Sequence, residues 1–435
     1  MEGINHNLQE WEENRPNLPI EDEESTSIIK VFGVGGGGSN AINHMYRKGI
    51  KGVSFVVCNT DLQALRDSPV PCKVQIGYLG AGSKPKVAEE AAKHYADRIK
   101  EALGEETRMV FVTAGMGGGT GTGAAPVVAQ VAKDMGILTV GIVTIPFAFE
   151  GKFKISKALQ GVMALSQHVD ALLVINNQKL CDLYSDLNLS NAFAKADDVL
   201  ANAAKAIAEI VTIPGYINID FADVETTMHD SKVAVMNTGY ASGENRIKLA
   251  IEDALNSPIV NTKNITGARN VLLSFYCSHE HQIEMKEVEQ INEFMNTVGE
   301  NVEVIWGATF DDSLGEQVKI TLIATGFDLD NIPGMSMCLS NEKKPVENTS
   351  QQANSEEDKE PNSEAEMHAM MKAMYGKNQS HHEPTPSEIL EPEEDSLEDE
   401  LEEDIAEVGL DDDFDPFGND GTDDSFSTPA YLRNK

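Results

Sequence analysis

Short apolar runs alternate with helix-like segments through the first half of the chain. Strand-like runs fall at 28–34, 53–58, 109–113, 137–145 and 171–175, and apolar residues with helical spacing fall near 40–47, 86–103 and 125–135. Runs of this kind, alternating with helices, are typical of a mostly parallel sheet with helices on both faces. We therefore expect an α/β domain in this half.

A long helix-like segment, 191–212, separates this half from the next. Its pattern stops at Ile213, Pro214 and Gly215, and Pro-Gly is a helix-ending signal. Beyond it, strand-like runs return at 233–238, 270–277, 302–309 and 317–325, with helical spacing over 244–255 and 285–297. The pattern predicts a first domain over 28–190, a connecting helix over 191–213 and a smaller α/β domain over 214–330.

The acidic residues are concentrated at the two ends. The 435 residues carry a formal net charge of −37; residues 341–435 hold 28 acidic and 7 basic side chains, and residues 1–27 hold eight acidic side chains and one Arg. Such segments bury too little apolar surface to offset the entropy of ordering. We expect a disordered acidic arm over 1–27, a disordered acidic linker over 331–426 and a docking peptide over 427–435, where the sequence turns apolar and basic.

Composition also argues against several classes of function. An acidic surface repels phosphate, so a nucleic-acid partner is not expected. The chain has no run of about 18 apolar residues, which argues against direct membrane insertion. Its five cysteines are scattered and form no CxxC pair, as is typical of a protein in the reducing cytoplasm without a thiolate metal site.

The first candidate site is the glycine-rich segment 33–40, between a predicted strand and a predicted helix. Glycine lets the backbone approach a phosphate closely, and a helix N-terminus offers free N–H groups and the positive end of its dipole. Gly33, Gly35 and Gly38 also match the GxGxxG spacing of dinucleotide-binding folds, and Asp61 follows at a distance of about twenty residues. A dinucleotide-dependent oxidoreductase is therefore one alternative, and a tight turn without a ligand is another.

The second candidate site, 115–123, interleaves Thr120 and Thr122 with glycines, again between a strand and a helix. Threonine hydroxyls add hydrogen-bond donors for phosphate oxygens. A dinucleotide fold has no use for this second loop, and a P-loop needs Lys followed by Ser or Thr where this chain has Ala124 and Ala125. The two loops together predict one polyphosphate bound from two sides.

The run 117–123, Gly-Gly-Gly-Thr-Gly-Thr-Gly, resembles the signature of the tubulin/FtsZ family. The similarity extends over about residues 28–330, is closer to bacterial FtsZ than to eukaryotic tubulin, and returns in the last residues, 429–433. It implies a tubulin/FtsZ-like fold: a GTP-binding parallel-sheet domain joined by a long helix to a smaller α/β domain. GTP or GDP would be the ligand, with Mg²⁺ held through the phosphates rather than by the protein.

The resemblance also implies roles for individual residues. The first phosphate loop would be formed by Gly36, Gly37, Gly38, Ser39 and Asn40. The second phosphate loop would be formed by Gly118, Gly119, Thr120, Gly121, Thr122 and Gly123. A segment that senses the γ-phosphate would be formed by Ala81, Gly82 and Ser83. Glu150 matches the ribose contact. Lys154 stands where many members have Arg, and it keeps the charge but loses the planar fork of donors.

Asp197 matches the position that reads guanine. A carboxylate suits that task, because its two oxygens accept hydrogen bonds from guanine N1–H and N2–H₂ together, whereas adenine offers the wrong edge. The resemblance gives Asn218, Asp220 and Asp223 to a loop that enters the nucleotide pocket of the next subunit and polarises the attacking water. Without the resemblance, acids in such a loop are more often solvated surface.

The resemblance therefore implies an assembly-dependent GTPase that polymerises head to tail and forms the division ring at mid-cell. Membrane-anchor and regulatory division proteins would dock on Pro429, Ala430, Tyr431, Leu432 and Arg433. Two further alternatives are a nucleotide-binding scaffold with little turnover and a tubulin-like polymer for plasmid segregation. The latter should lack the Pro-Ala-Tyr-Leu-Arg ending.

Overall fold

The computed structural model describes residues 27–183, 188–255, 267–298, 302–328 and 332. The predicted acidic linker, apart from residue 332, and the docking peptide lie outside these residues, as does the acidic arm apart from Ser27. In the part of the chain that is described, no helix is long and apolar enough to cross a membrane.

The described residues contain ten strands. Their bounds are β1 Ile29–Val34, β2 Ser54–Asn59, β3 Cys72–Gln75, β4 Met109–Gly115, β5 Leu138–Ile145, β6 Ala171–Asn176, β7 Lys232–Ala241, β8 Asn270–Cys277, β9 Glu303–Phe310 and β10 Val318–Phe327. They form one sheet in the order β3-β2-β1-β4-β5-β6-β7-β10-β8-β9.

The helices lie between these strands. Their bounds are α1 Gly35–Arg47, α2 Leu62–Asp67, α3 Pro85–His94, α4 Ala96–Leu103, α5 Thr120–Asp134, α6 Lys152–Ser166, α7 Asn177–Leu183, α8 Leu189–Thr212, α9 Phe221–Met228, α10 Arg246–Leu255 and α11 Met285–Val298. Short 3₁₀ turns cover Ala148–Glu150 and Asp312–Leu314.

The first six strands are all parallel, and their order reverses between β1 and β4. In the register of these two strands Gly33 faces Thr113 and Val34 faces Ala114, so both strands end at the same edge. A reversal of strand order opens a crevice at the carboxyl ends of the strands, which is where open α/β sheets bind ligands. Both predicted phosphate loops begin at this crevice.

The second half of the chain continues the same sheet. Only two residue pairs, Ala171 with Lys232 and Leu172 with Val233, join β6 to β7 in parallel. Strand β10 then pairs antiparallel with both β7 and β8, and β9 lies parallel to β8. We refer to the β6–β7 pairing as the seam. The domain boundaries at 190 and 214 stay a prediction, since the sheet runs without interruption through the seam.

Alternate residues of the buried strands face opposite sides of the sheet. Ile29 and Val31 of β1 belong to a core under α8, whereas Phe32 and Val34 belong to the core on the other face. Helix α8 contributes Leu200, Ala204 and Ile207 to the first core, which also contains Leu272 of β8 and Ile323 of β10. The long helix therefore packs on strands from both halves of the chain, as expected for a helix that connects the two predicted domains.

Some predicted bounds were wrong for identifiable reasons. The single helix predicted over 86–103 is two helices, since α3 ends at His94 and α4 begins at Ala96. Helices α1 and α5 begin inside the glycine runs rather than after them. Glycine has low helix propensity, but close packing overrides it here: a Cβ on Gly38 would lie 2.4 Å from the carbonyl oxygen of Thr113 in β4.

Candidate nucleotide-binding site

A cavity of about 410 Å³ lies at the crevice between β1 and β4, within the usual size range of ligand pockets. It gathers residues from both glycine loops and from the three consecutive helices α6, α7 and α8. The predicted site residues that line the cavity are Gly36, Gly37, Asn40, Gly118, Gly119, Thr120, Gly121, Glu150, Lys154 and Asp197.

The two glycine loops touch each other at the mouth of the crevice. A Cβ on Gly37 would lie 3.0 Å from Cα of Gly115, and a Cβ on Gly35 would lie 2.6 Å from the backbone nitrogen of Gly121. Gly35 also has a φ of +72°, a conformation that L side chains rarely adopt. The N-termini of α1 and α5 consequently lie side by side, and two helix N-termini with free N–H groups favour a bound polyphosphate.

The segment Ala81, Gly82 and Ser83 lies against the second loop. A Cβ on Gly119 would meet Cβ of Ala81 at 2.8 Å and the backbone nitrogen of Ser83 at 3.2 Å. Gly82 and Ser83 both have positive φ values, +55° and +59°. These three residues do not line the cavity, and the segment approaches it through its packing against Gly119.

Four other predicted residues support the loops rather than line the cavity. The hydroxyl of Thr122 accepts a hydrogen bond from the backbone nitrogen of Gly117 at 2.8 Å. Gly38 packs against β4, and a Cβ on Gly123 would lie 2.0 Å from the carbonyl oxygen of Pro85. The hydroxyl of Ser39 is buried and has no hydrogen-bond partner among the described residues. The loops are therefore held in place by close packing.

Glu150 and Lys154 form an ion pair on the opposite wall. Lys154 Nζ donates to Glu150 Oε2, while Glu150 Oε1 accepts from the backbone nitrogen of Phe147 at 2.8 Å. Glu150 ends the 3₁₀ turn and Lys154 lies in the first turn of α6, so the ion pair joins these two elements. Glu150 is thereby fixed at the edge of the cavity, and Lys154 is a cation that a phosphate or ribose could recruit.

Asp197 projects from α8 into the cavity, where burial raises its pKa to about 6. The nearby His44 opposes that rise and the neighbouring Asp198 adds to it. A carboxylate that is short of solvent gains more from new hydrogen-bond donors than an exposed one does. Asp197 is therefore well suited to receive the N–H groups of a guanine base.

The sequence did not reveal the other residues around Asp197. Asn177 follows β6, lines the cavity, and has a buried Oδ1 without a hydrogen-bond partner among the described residues. Phe193 lies one turn before Asp197 on α8, also lines the cavity, and meets Phe147 edge to face at 5.1 Å between ring centroids. Two features of the sequence could have identified them. Asn177 follows a third parallel strand at the same edge, and Phe193 is at position i−4 from Asp197.

Asn218, Asp220 and Asp223 do not line this cavity. They follow the far end of α8, and the fifteen residue steps from Asp197 to Thr212 span about 22 Å of helix. Asp220 and Asp223 cap α9 reciprocally, each accepting a backbone N–H of the other at 2.9 Å. Asn218 and Asp220 are exposed and Asp223 is half-buried, so the loop faces outward.

The dinucleotide alternative is not supported. Asp61, the acid expected to bind a ribose in that interpretation, instead caps α2 and accepts from the backbone nitrogens of Gln63 and Ala64. Gly33 lies within β1, and a Cβ there would be 2.4 Å from Ile42, so this glycine serves packing between β1 and α1. A second loop that shares the cavity has no role in that fold.

Comparison with known proteins agrees with the geometry. The family model described as the GTPase domain of the Tubulin/FtsZ family matches residues 28–185, and the one described as the C-terminal domain of the FtsZ family matches residues 232–328. The Cell division protein FtsZ of Porphyromonas gingivalis is 51% identical over 320 residues, which cover 72% of this chain and 70% of that protein. The corresponding protein of Coxiella burnetii is 44% identical over 336 residues, covering 76% and 85%.

Solved structures lead to the same family. An empty FtsZ dimer from M. jannaschii is similar with a TM-score of 0.63 and 38% sequence identity, covering 75% of this chain and 92% of that one. The two glycine loops, the shared crevice and the continuous sheet all lie within the regions that match. The chain therefore belongs to the FtsZ family of tubulin-like GTPases, the GTP-dependent cytoskeletal proteins of cell division.

Proposed function

We propose that GTP binds in the cavity with its phosphates on the two glycine loops and its guanine on Asp197. Asn177 adds a second acceptor near the base, because its buried Oδ1 lacks a donor. Glu150 holds the ribose. The residues of the two loops that line the cavity are glycines, Asn40, Met116 and Thr120, and none of them is a carboxylate, which favours a Mg²⁺ held by the phosphates themselves.

We further propose that hydrolysis requires a second copy of the chain. The observation that carries this proposal is the separation between Asp197 and the Asp220–Asp223 loop along α8, which keeps each chain's acids away from its own cavity. Head-to-tail assembly brings the loop of one chain over the cavity of the next. There Asp220, Asp223 and Asn218 orient the attacking water, while charge on the phosphates is stabilised by the loops and Mg²⁺.

The proposal is tested by mixing two inactive variants. Asp223→Asn keeps an oxygen that can accept the backbone N–H of Asp220, so it removes the charge while retaining the cap of α9. Asp197→Ala has a poor guanine pocket and an intact acidic loop. In random head-to-tail assembly, one contact type in four pairs the good pocket with the good loop, so the mixture should hydrolyse more GTP than the two separate samples combined.

Sedimentation of each mixture with GTP supplies the control. If the two variants co-sediment and phosphate release is still only additive, the acids do not act on a neighbouring chain. A mixture of Asp223→Asn with Asp220→Asn gives the matched comparison, because both variants lack a loop acid and no contact between them is complete. That mixture should remain as inactive as its components.

We also propose that the protein acts in the cytoplasm at the mid-cell division site. The curated relatives carry the name Cell division protein FtsZ, which supports that assignment. Self-assembly into head-to-tail filaments would supply the structure there, and the empty dimer of the M. jannaschii relative supports self-association. The peptide 429–433 would bind membrane-anchor and regulatory division proteins. Imaging of a fluorescent fusion in dividing cells tests the location, and a diffuse signal throughout division would contradict it.

A further inference from the structure

Three ligand-type side chains meet at the seam between β6 and β7, on the side away from the nucleotide cavity's loops. Asp170 precedes β6, and His229 and Asp230 lie between α9 and β7. One donor atom from each of the three residues lies within 4.8 Å of the other two. We call these residues the seam cluster.

Asp170 is the fixed member of the seam cluster. Its side chain is only 4% exposed, and its Oδ2 accepts from the backbone nitrogen of Thr139 at 2.9 Å. Its backbone carbonyl also accepts from the nitrogen of Lys232 at 3.0 Å, which ties it to the start of β7. The other carboxylate oxygen, Oδ1, is buried and makes no hydrogen bond with the described residues. A buried carboxylate oxygen without a donor requires a positive partner.

The spacing around Asp170 Oδ1 suits a metal ion. His229 Nδ1 lies 3.4 Å from Oδ1, too long for a good hydrogen bond. Bonds of about 2.1 Å to a tetrahedral metal place neighbouring ligand atoms about 3.4 Å apart. Asp230 is 74% exposed, so its carboxylate can rotate to complete a third bond. One nitrogen and two carboxylate oxygens form a donor set that Zn²⁺ accepts.

Lys133 of α5 is the positive group that faces the cluster. Its Nζ lies 3.5 Å from Asp170 Oδ1 and 3.6 Å from Asp230 Oδ1, between the two carboxylates. Both distances are beyond a hydrogen bond, and the Lys133 side chain is 38% exposed. A flexible ammonium that is loosely placed between two carboxylates can move into solvent when a dication replaces it. Lys133 and the metal would then compete for the same carboxylates.

We propose that Asp170, His229 and Asp230 bind a divalent transition metal, represented by Zn²⁺, and that the ion fastens the seam. Asp170 belongs to the first half of the sheet and His229 and Asp230 to the second, while only two residue pairs join β6 to β7. An ion bonded to both sides would add a link where the backbone pairing is shortest. Binding therefore stabilises the folded chain against separation of its two halves.

The experiment measures Zn²⁺ binding to the full-length protein saturated with GDP and Mg²⁺, so that the nucleotide site is already filled. Calorimetry and thermal unfolding are recorded for the wild type, His229→Gln, Lys133→Gln and the control His279→Gln. His279 is also exposed and paired with a carboxylate, Asp312, but it lies outside the cluster. Every variant retains His381, His382 and the acidic tail, so Zn²⁺ bound there cancels in the comparison.

We expect the affinity of one class of Zn²⁺ site to fall at least about tenfold in His229→Gln. Loss of a group that only hydrogen-bonds to a metal ligand already costs that much. Lys133→Gln should bind Zn²⁺ at the seam cluster several-fold more tightly, because the competing lysine cation is removed. The midpoint of unfolding should rise with Zn²⁺ in the wild type and His279→Gln, and not in His229→Gln. Equal Zn²⁺ binding in wild type and His229→Gln, or weaker binding in Lys133→Gln, would overturn the proposal.

Discussion

His44 Nε2 lies 2.7 Å from Asp198 Oδ1, and this contact joins the helix that starts at the first glycine loop to the helix that carries Asp197. Lys48, the residue that caps the C-terminus of α1, donates to the same oxygen. Burial raises the pKa of Asp198, but the hydrogen bonds from Lys48 and His44 outweigh it and the pKa is lowered. The carboxylate is therefore charged at neutral pH and ties the helix of the first glycine loop to the helix that carries Asp197.

Asp198→Asn should weaken GTP binding while the chemical step is largely retained. Loss of about 1 kcal/mol from this partly buried ion pair corresponds to a rise in KM of roughly fivefold, with kcat within about twofold. Steady-state kinetics at fixed protein concentration measures both. Glu89→Gln is the matched control, because Glu89 is paired with Lys93 in an exposed i,i+4 contact remote from the cavity. A fall in kcat at unchanged KM would show that the contact does not position the base.

The pH dependence of GTP affinity should follow Asp197. Burial raises its pKa to about 6, so a proton must leave before the carboxylate can accept from guanine. Between pH 7 and pH 5.5 the apparent affinity should fall about fourfold, and fluorescent GTP binding checks this. Asp197→Asn, which does not titrate, should lose most of that dependence.

The same shift has a defined effect on stability. The folded pKa of Asp197 lies above the unfolded value of 3.8, so the folded chain binds the extra proton between about pH 4 and pH 6. This group's contribution to the free energy of unfolding therefore decreases as the pH rises through that window and is constant above it. In the nucleotide-free protein, urea unfolding of Asp197→Asn relative to wild type should show a gain in stability that grows between about pH 4 and pH 6 and is constant above that. A gain present only below pH 4 would contradict the sign.

Alanine substitutions at two glycines of the first loop, Gly36 and Gly38, should affect stability differently. Gly38→Ala places a Cβ 2.4 Å from the carbonyl oxygen of Thr113, so unfolding should become easier by about 2 kcal/mol or more. Gly36→Ala meets nothing within 4 Å, and its stability should be unchanged or slightly higher, since alanine favours helix. Because Gly36 lines the cavity, Gly36→Ala should nevertheless bind GTP more weakly. Denaturant titration and nucleotide binding together separate the two effects.

Removal of residues 427–435 should leave GTP hydrolysis and sedimentation of filaments within about twofold of wild type. The peptide follows a long acidic segment, so it would act through docking rather than through the folded body. Recruitment to vesicles that carry a membrane-anchor protein should be lost, with an affinity of the intact peptide on the order of micromolar. Loss of hydrolysis on truncation would show that these residues support the fold.

The sequence predicted most of the strands and both loops, because apolar runs and glycines report local geometry. The sequence pattern did not identify residues whose role depends on partners that are distant in the chain. Asn177 is an ordinary polar residue until β6 brings it to the cavity that Asp197 also lines, and Phe193 is one apolar residue of a helix until Phe147 packs on it. The start of α1 at Gly35 was missed for a related reason: only the contact of Gly38 with β4 explains glycines inside a helix.

Helix α8 makes the molecule directional. With the cavity at one end of a 24-residue rod and the acids beyond the other, the proposed filament has two chemically different tips. At one tip the last cavity would have no acids above it, so its GTP would persist until another chain is added. At the other tip a pair of acids would face solvent with no substrate. The nucleotide at the first completed contact behind the GTP-bearing tip would then record how recently the last chain was added, without any additional component.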